Sequence, residues 1–152
     1  GNSGGFASYP TLTPLPSLAP VAQTTPVAGA NVSAPSGLAL ENVTTARDMD
    51  GDGCPVDITN VFGTSESRIY IFAVARSYAA GTVFSATWKD TRGFEHTNDW
   101  TVEERGDNLC IHFYVEPRTL QMAAGSYTVV FAASHSSGSV ESPPIAFSIQ
   151  AR

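Results

Sequence analysis

From Arg68 onward the chain runs in short stretches that alternate apolar with polar or small residues, and no stretch long enough for a helix carries a 3.6-residue period. Side chains of a strand point alternately to opposite faces, so such runs read as strands with one face turned to a core. In Arg68–Ala75, Tyr70, Phe72 and Val74 share one face and Ile69, Ile71 and Ala73 the other. Thr82–Trp88 groups Phe84, Ala86 and Trp88. Leu109–Val115 sets Leu109, Ile111, Phe113 and Val115 against Cys110, His112 and Tyr114. Trp100–Glu104 alternates briefly around Val102, before a tight turn at Gly106-Asp107-Asn108. Ser126–Ala133 and Ile145–Ile149 are the last two runs, and Leu38–Thr45 is a weaker first one. This pattern predicts an all-β, antiparallel β-sandwich of about seven strands. Phe72, Trp88, Tyr127, Phe147, Ile111 and Phe113 are its expected core, and Trp100, in an alternating run, is expected there too, the other reading of Trp100, Phe94 and Tyr78 being exposed aromatics of a sugar-binding face.

The amino-terminal part is written differently. Gly1 to Leu40 contains no Lys, Arg, Asp or Glu and holds six of the ten prolines. Disordered tails usually stay soluble through charge, and this segment has no strand or helix period. It reads as an extended, Pro-rich arm over residues 1–36, with polyproline character, preceding a sandwich over residues 37–152. Phe6, Tyr9, Leu12, Leu15, Leu18 and Val21 are expected to bury on a neighbouring subunit. A Ser/Thr/Pro spacer is the plainer reading.

The net charge of −6 and the single lysine, Lys89, exclude a nucleic-acid partner, which needs a basic patch, and a polybasic membrane contact. No apolar stretch approaches the length of a membrane span. The chain opens on Gly1 with no basic or apolar leader, so a signal peptide, if there was one, is expected to have been removed already; the Gly/Thr/Ser-rich, Lys-poor composition is that of an exported, extracellular or cell-surface protein. Export favours pairing of the two cysteines, Cys54 and Cys110. Their disulfide would close a loop of about 55 residues and stabilise the fold by roughly 4 kcal/mol. Two buried free thiols are the other reading.

Residues 60–152 resemble an immunoglobulin-like β-sandwich of the kind repeated in bacterial surface and secreted proteins. Trp88 in the third strand, Gly125-Ser126-Tyr127 ahead of a Val/Phe strand, and the closing strand IAFSI carry the resemblance. It implies a buried tryptophan and a tyrosine corner. The chain departs from the antibody pattern, because Cys54 precedes the second strand and position 129 is Val129. Any Cys54–Cys110 bridge therefore joins different places. A fold resemblance supplies no function.

Asp48 to Asp57 reads DMDGDGCPVD. Its D-x-D-x-D-G core resembles the calcium loops of EF-hand, dockerin and thrombospondin type 3 repeats. Carboxylates at every second position can converge on one hard cation, and Gly53 permits the turn. Asp48, Asp50, Asp52 and Asp57 are the candidate Ca²⁺ ligands. The bidentate glutamate of an EF-hand is missing, since Thr59 stands in its place, and Pro55 opposes a helix there. A plain Asp/Gly turn is the competing reading.

Catalytic chemistry finds no foothold. His96, His112 and His135 have no ligand spacing, Glu103 and Glu104 are adjacent, and there is no G-x-S-x-G elbow, phosphate loop or dinucleotide fingerprint. Asn31-Val32-Ser33 and Asn42-Val43-Thr44 match the N-glycosylation acceptor, making Asn31 and Asn42 candidate sites for covalent glycan. The chain is therefore expected to be a non-enzymatic structural subunit of an extracellular filament or cell-surface assembly, its partners copies of itself. A neighbour's arm would cover a sheet edge by strand addition, with Val21–Thr25 and Leu38–Val43 as proline-free candidates. The alternative is a ligand-binding or adhesive surface module, glycan-binding or calcium-dependent.

Overall fold

The computed structural model describes residues 29–151. Most of the expected arm, residues 1–28, lies outside them. The strands are β1 (Ala30–Ser33), β2 (Ala39–Met49), β3 (Pro55–Ile58), β4 (Val61–Gly63), β5 (Ile69–Arg76), β6 (Val83–Asp90), β7 (Glu95–Thr101), β8 (Leu109–Val115), β9 (Gly125–His135), β10 (Gly138–Glu141) and β11 (Ile145–Gln150). No helix occurs among the described residues.

The strands form two sheets. One has the order β1, β2, β5, β8, with β3 also pairing β2; the other has the order β4, β11, β9, β6, β7, with β10 also pairing β9. Every pairing is antiparallel except β4 with β11, which is parallel. The sequence expectation of an all-β, two-sheet molecule is met. The expected runs correspond to β2, β5, β6, β8, β9 and β11, and the run at Trp100–Glu104 overlaps only the last two residues of β7. The four extra strands hold three or four residues each, too few to display an alternation.

The two inner faces meet in one core. The first sheet contributes Leu40, Val43, Ile69, Ile71, Ile111, Phe113 and Val115; the second contributes Phe84, Trp88, Val129, Phe131, Phe147 and Ile149; Phe62 of β4 joins them. Aromatic rings knit the layers. Phe113 meets Phe131 at 5.5 Å across the sheets, Trp88 meets Phe147 edge-on at 5.8 Å, and Tyr127 stacks on Phe147 at 5.4 Å. Such pairs add roughly 0.5–1.5 kcal/mol beyond the area they bury. Trp88 is fully buried, and its indole N–H donates to Asn98 Oδ1 at 2.7 Å, so its one polar atom is satisfied. The Tyr127 hydroxyl donates to the Ala123 carbonyl at 2.6 Å, pinning the segment that leads into β9.

β5 buries both faces along most of its length, as β2 does over residues 43–46. The outer side of β5 carries Tyr70 and Phe72, which pack with Ala46 and Met49 of β2 in a second, smaller cluster. The Cys54–Cys110 disulfide lies on this flank, with a Cα–Cα distance of 5.2 Å. It ties the turn between β2 and β3 to β8, two strands away in the sheet. Gly53 (φ 80°) sits in that turn, a conformation that a Cβ disfavours.

Two expectations are corrected. The alternating run at Trp100–Glu104 is not a strand of its own; the strand is β7, Glu95–Thr101, whose sequence EHTNDWT is polar because it borders the sheet. Trp100 is not a core residue. It lies on the inward side of β7, stacked on Phe84 at 6.3 Å, but the sheet ends there and 50% of it stays exposed.

Candidate functional site

The exposed large hydrophobic side chains among the described residues are Val56, Ile58, Trp100, Leu109 and Tyr114. They lie on β3, β7 and β8, and among the described residues each of these strands pairs on one side only. Edge strands carry unpaired N–H and C=O groups, and soluble proteins usually blunt them with charge or proline. Here Pro55 opens β3, and β7 carries Glu95 and Asp99. Along β8, Leu109–Val115, there is no charged side chain other than the ionisable His112.

β7 and β8 border their sheets on the same side of the molecule, and a groove of about 360 Å³ opens between them. His96 and Asn98 of β7 form one wall. His112, Phe113, Tyr114 and Val115 of β8 form the other, and Thr119 and Leu120 lie at one end. Asn98 is the link across it. Its Oδ1 holds the Trp88 indole, and its Nδ2 lies 3.5 Å from the Tyr114 carbonyl, at the long limit of a hydrogen bond. In an antiparallel strand the N–H and C=O of a residue point to the same side and alternate along the strand. The backbone groups of Tyr114, His112 and Cys110 therefore face the open edge, while those of Ile111, Phe113 and Val115 face β5.

The outer flank of β8 is an aromatic patch. The Arg68 guanidinium lies 4.2 Å from the Tyr114 ring centre, and its Nη1 donates to the Tyr70 hydroxyl at 3.3 Å. The His112 ring lies 5.9 Å from both Tyr70 and Phe72. Burial lowers the His112 pKa below the usual imidazole value, and the Arg68 charge lowers it further. His112 is consequently neutral at pH 7 and a hydrogen-bonding group rather than a cation.

The sequence candidates fall in several places. Cys54 and Cys110 are bonded to each other. Asp48 and Asp50 stand at the end of β2, and Asp57 in β3. Asp50 caps its own turn, its Oδ1 accepting from Asp52 N at 2.8 Å and Cys54 N at 3.0 Å. Asp48 Oδ1 accepts from Met49 N, and Asp57 pairs with Arg47 at 3.5 Å, which also holds Glu66 at 2.9 Å. Among the described residues no three His, Cys, Asp or Glu side chains are placed to share a metal ion. As placed, the four aspartates do not fit a common cation. Asn31 and Asn42 are exposed and face each other at a bulge, where Asn42 (φ 53°) donates its N–H to Asn31 Oδ1 at 3.0 Å. His135 bonds Ser137 in the β9–β10 turn, whereas His96 and His112 come to the same groove from strands distant in sequence.

Asn98 and the groove were not read from the sequence. β7 has no apolar alternation to mark it, and an asparagine in a polar run reads as surface. The one available signal was Trp88, since a buried indole N–H needs an acceptor. No helix among the described residues is long and apolar enough to cross a membrane. Compared with known proteins, the chain matches no family model, no curated protein and no solved structure.

Proposed function

We propose that this protein is a non-enzymatic structural subunit of an extracellular filament or cell-surface assembly, with an immunoglobulin-like sandwich as its body and an N-terminal arm that packs on a neighbouring copy. One observation carries the reading: the exposed large hydrophobic side chains fall on the free edges β3, β7 and β8. An unblunted edge that bears apolar side chains is a template for pairing with another chain. The disulfide supports export, because such bonds persist in oxidising compartments. The immunoglobulin-like description draws support from the buried Trp88 on β6 and from the Tyr127 hydroxyl bonded to the backbone at Ala123, upstream of β9.

The test is electron microscopy of native material, with sedimentation of the purified chain beside a chain lacking residues 1–28. Filaments or sheets, with assembly lost on truncation, are the expected result. Isolated particles, with identical sedimentation of the two chains, would refute the reading.

A second reading, a ligand-binding surface module, is favoured by the groove itself. Its volume is at the small end of ligand sites, and His96, Asn98, His112, Glu116 and Thr119 offer it polar groups. Retention of a glycan by the truncated, monomeric chain would favour it over assembly.

A further inference from the structure

We propose that the free edge of β8 receives Val21–Thr25 of a second copy as an added strand, whose inward side chains enter the groove between β7 and β8. This rests on the assembly reading above and gives it a donor segment and an acceptor edge.

The acceptor is defined by backbone direction. The N–H and C=O groups of Cys110, His112 and Tyr114 face outward from β8, and among the described residues β8 pairs only with β5. Only the Tyr114 carbonyl meets a side chain of β7, the Asn98 amide at 3.5 Å. A strand laid beside β8 would satisfy these groups through its own main chain, the mode of β-strand addition. Its alternate residues would point inward, over Phe113, Val115 and Leu120, where the groove is apolar.

The donor follows by elimination and charge. Of the two proline-free candidates, Leu38–Val43 is consumed in the fold, because β2 lies between β1 and β5. Val21–Thr25 (VAQTT) is uncharged, bounded by Pro20 and Pro26 and β-branched at three of its positions, whereas the longest proline-free stretch of residues 1–28, Gly1–Tyr9, holds three glycines and no β-branched residue and is the poorer strand former. Those prolines limit pairing to this short stretch, since each removes a donor. An uncharged strand suits this wall, where Glu116 is the one carboxylate.

Reach decides that the strand comes from another copy. The described chain starts at Gly29, packed against Asn42 beside β1, at the opposite edge of the first sheet from β8. A strand added beyond β8 lies four strand spacings away, roughly 19 Å. Thr25 is four residues from Gly29 and reaches at most about 14 Å when fully extended. Its own Val21–Thr25 therefore falls short.

The test uses the full chain and Gln23→Pro, which removes a donor from the proposed strand and leaves the sandwich sequence unaltered. Sedimentation over a concentration series is read together with amide exchange at His112 and Tyr114. The wild-type chain is expected to self-associate, with these two amides slowed on association. Gln23→Pro should weaken association at least about tenfold and leave them fast, since it forfeits main-chain bonds to the edge. Equal association of Gln23→Pro and wild type, or association without slowing of His112 and Tyr114, would overturn the strand addition while leaving the assembly reading intact. A wild-type chain that stays monomeric throughout would overturn both.

Discussion

The two tryptophans sit on neighbouring, paired strands and have opposite fates. Trp88 of β6 is fully buried, while Trp100 of β7 is half exposed. Both face inward. What differs is the next strand: β6 is flanked by β7 and β9, and β7 only by β6. Burial in a sandwich is therefore set by position across the sheet as much as by face, and a border strand can aim an aromatic ring inward and still leave it wet. That is how an edge acquires a sticky surface while the core stays closed.

Breaking the interior half of this pair has the largest expected effect. Trp88→Ala should cost on the order of 3–5 kcal/mol, because it opens a cavity and leaves Asn98 Oδ1 without its donor. Denaturant unfolding measures it. A loss under about 1 kcal/mol would mean that the sheets close over the gap and that β6 is no more interior than β7.

The next effect tests what holds the other border strand, β8. The Cys54–Cys110 bond spans 56 residues and anchors β8 to the β2–β3 turn. Replacing both cysteines by alanine should cost roughly 2–4 kcal/mol, chiefly through a less restricted unfolded chain. Mass spectrometry of the unreduced protein checks the bond itself, and two alkylatable thiols would contradict it.

Trp100→Ser sharpens the contrast directly. With half its surface already in water, the ring should contribute about 1 kcal/mol or less to stability. The same change should weaken self-association if the β7 border contributes to the contact. A stability loss as large as that of Trp88→Ala would put Trp100 in the core.

The sequence made the interior legible and the borders obscure. The runs of β6, β8, β9 and β11 display their alternation because one face meets a core, and Phe72, Trp88, Ile111, Phe113, Tyr127 and Phe147 are buried as expected. Phe72 shows the limit of that reading. It is buried on the outer flank of β5, in a cluster with Tyr70 and Ala46 beside the disulfide, and not between the sheets. The unbroken apolar run Ile69–Ala75 is the local trace of that cover, since a strand with one wet face would alternate; what it does not say is which residues supply it. β7 is obscure in the sequence for the converse reason: its inward residues His96 and Asn98 line a groove, so they are polar and imitate a loop. An open edge follows from which strand lacks a neighbour, a property of the topology that no single segment carries.

Acid should act on the border before the interior. The His112 pKa is lowered by burial and by Arg68, with Tyr70, Tyr114, His96 and Glu116 as its titratable neighbours in the fold and groove. Its unfolded form binds a proton more readily than its folded form. The contribution to stability is thus complete above the unfolded value, near pH 6.5, and declines as pH falls below it. Melting temperature should drop modestly between pH 7 and pH 5, and His112→Gln should flatten that part of the profile. An unchanged slope in the variant would assign the drop to other groups.

Calcium is expected to do least. A cation held only by the folded protein raises the melting temperature as its concentration exceeds Kd. The Asp48–Asp57 segment offers it little as placed: Asp50 holds the N–H groups of Asp52 and Cys54, and Asp57 is paired with Arg47. Drawing these side chains onto one ion would break the cap that shapes the turn and the Asp57–Arg47 ion pair. Calorimetric melting in millimolar calcium and in chelator should therefore give the same midpoint. A higher midpoint in calcium, abolished by Asp50→Asn, would show that the turn rearranges into a metal loop. The β2–β3 turn, tied by Cys54 to β8, would then make the open edge calcium-sensitive.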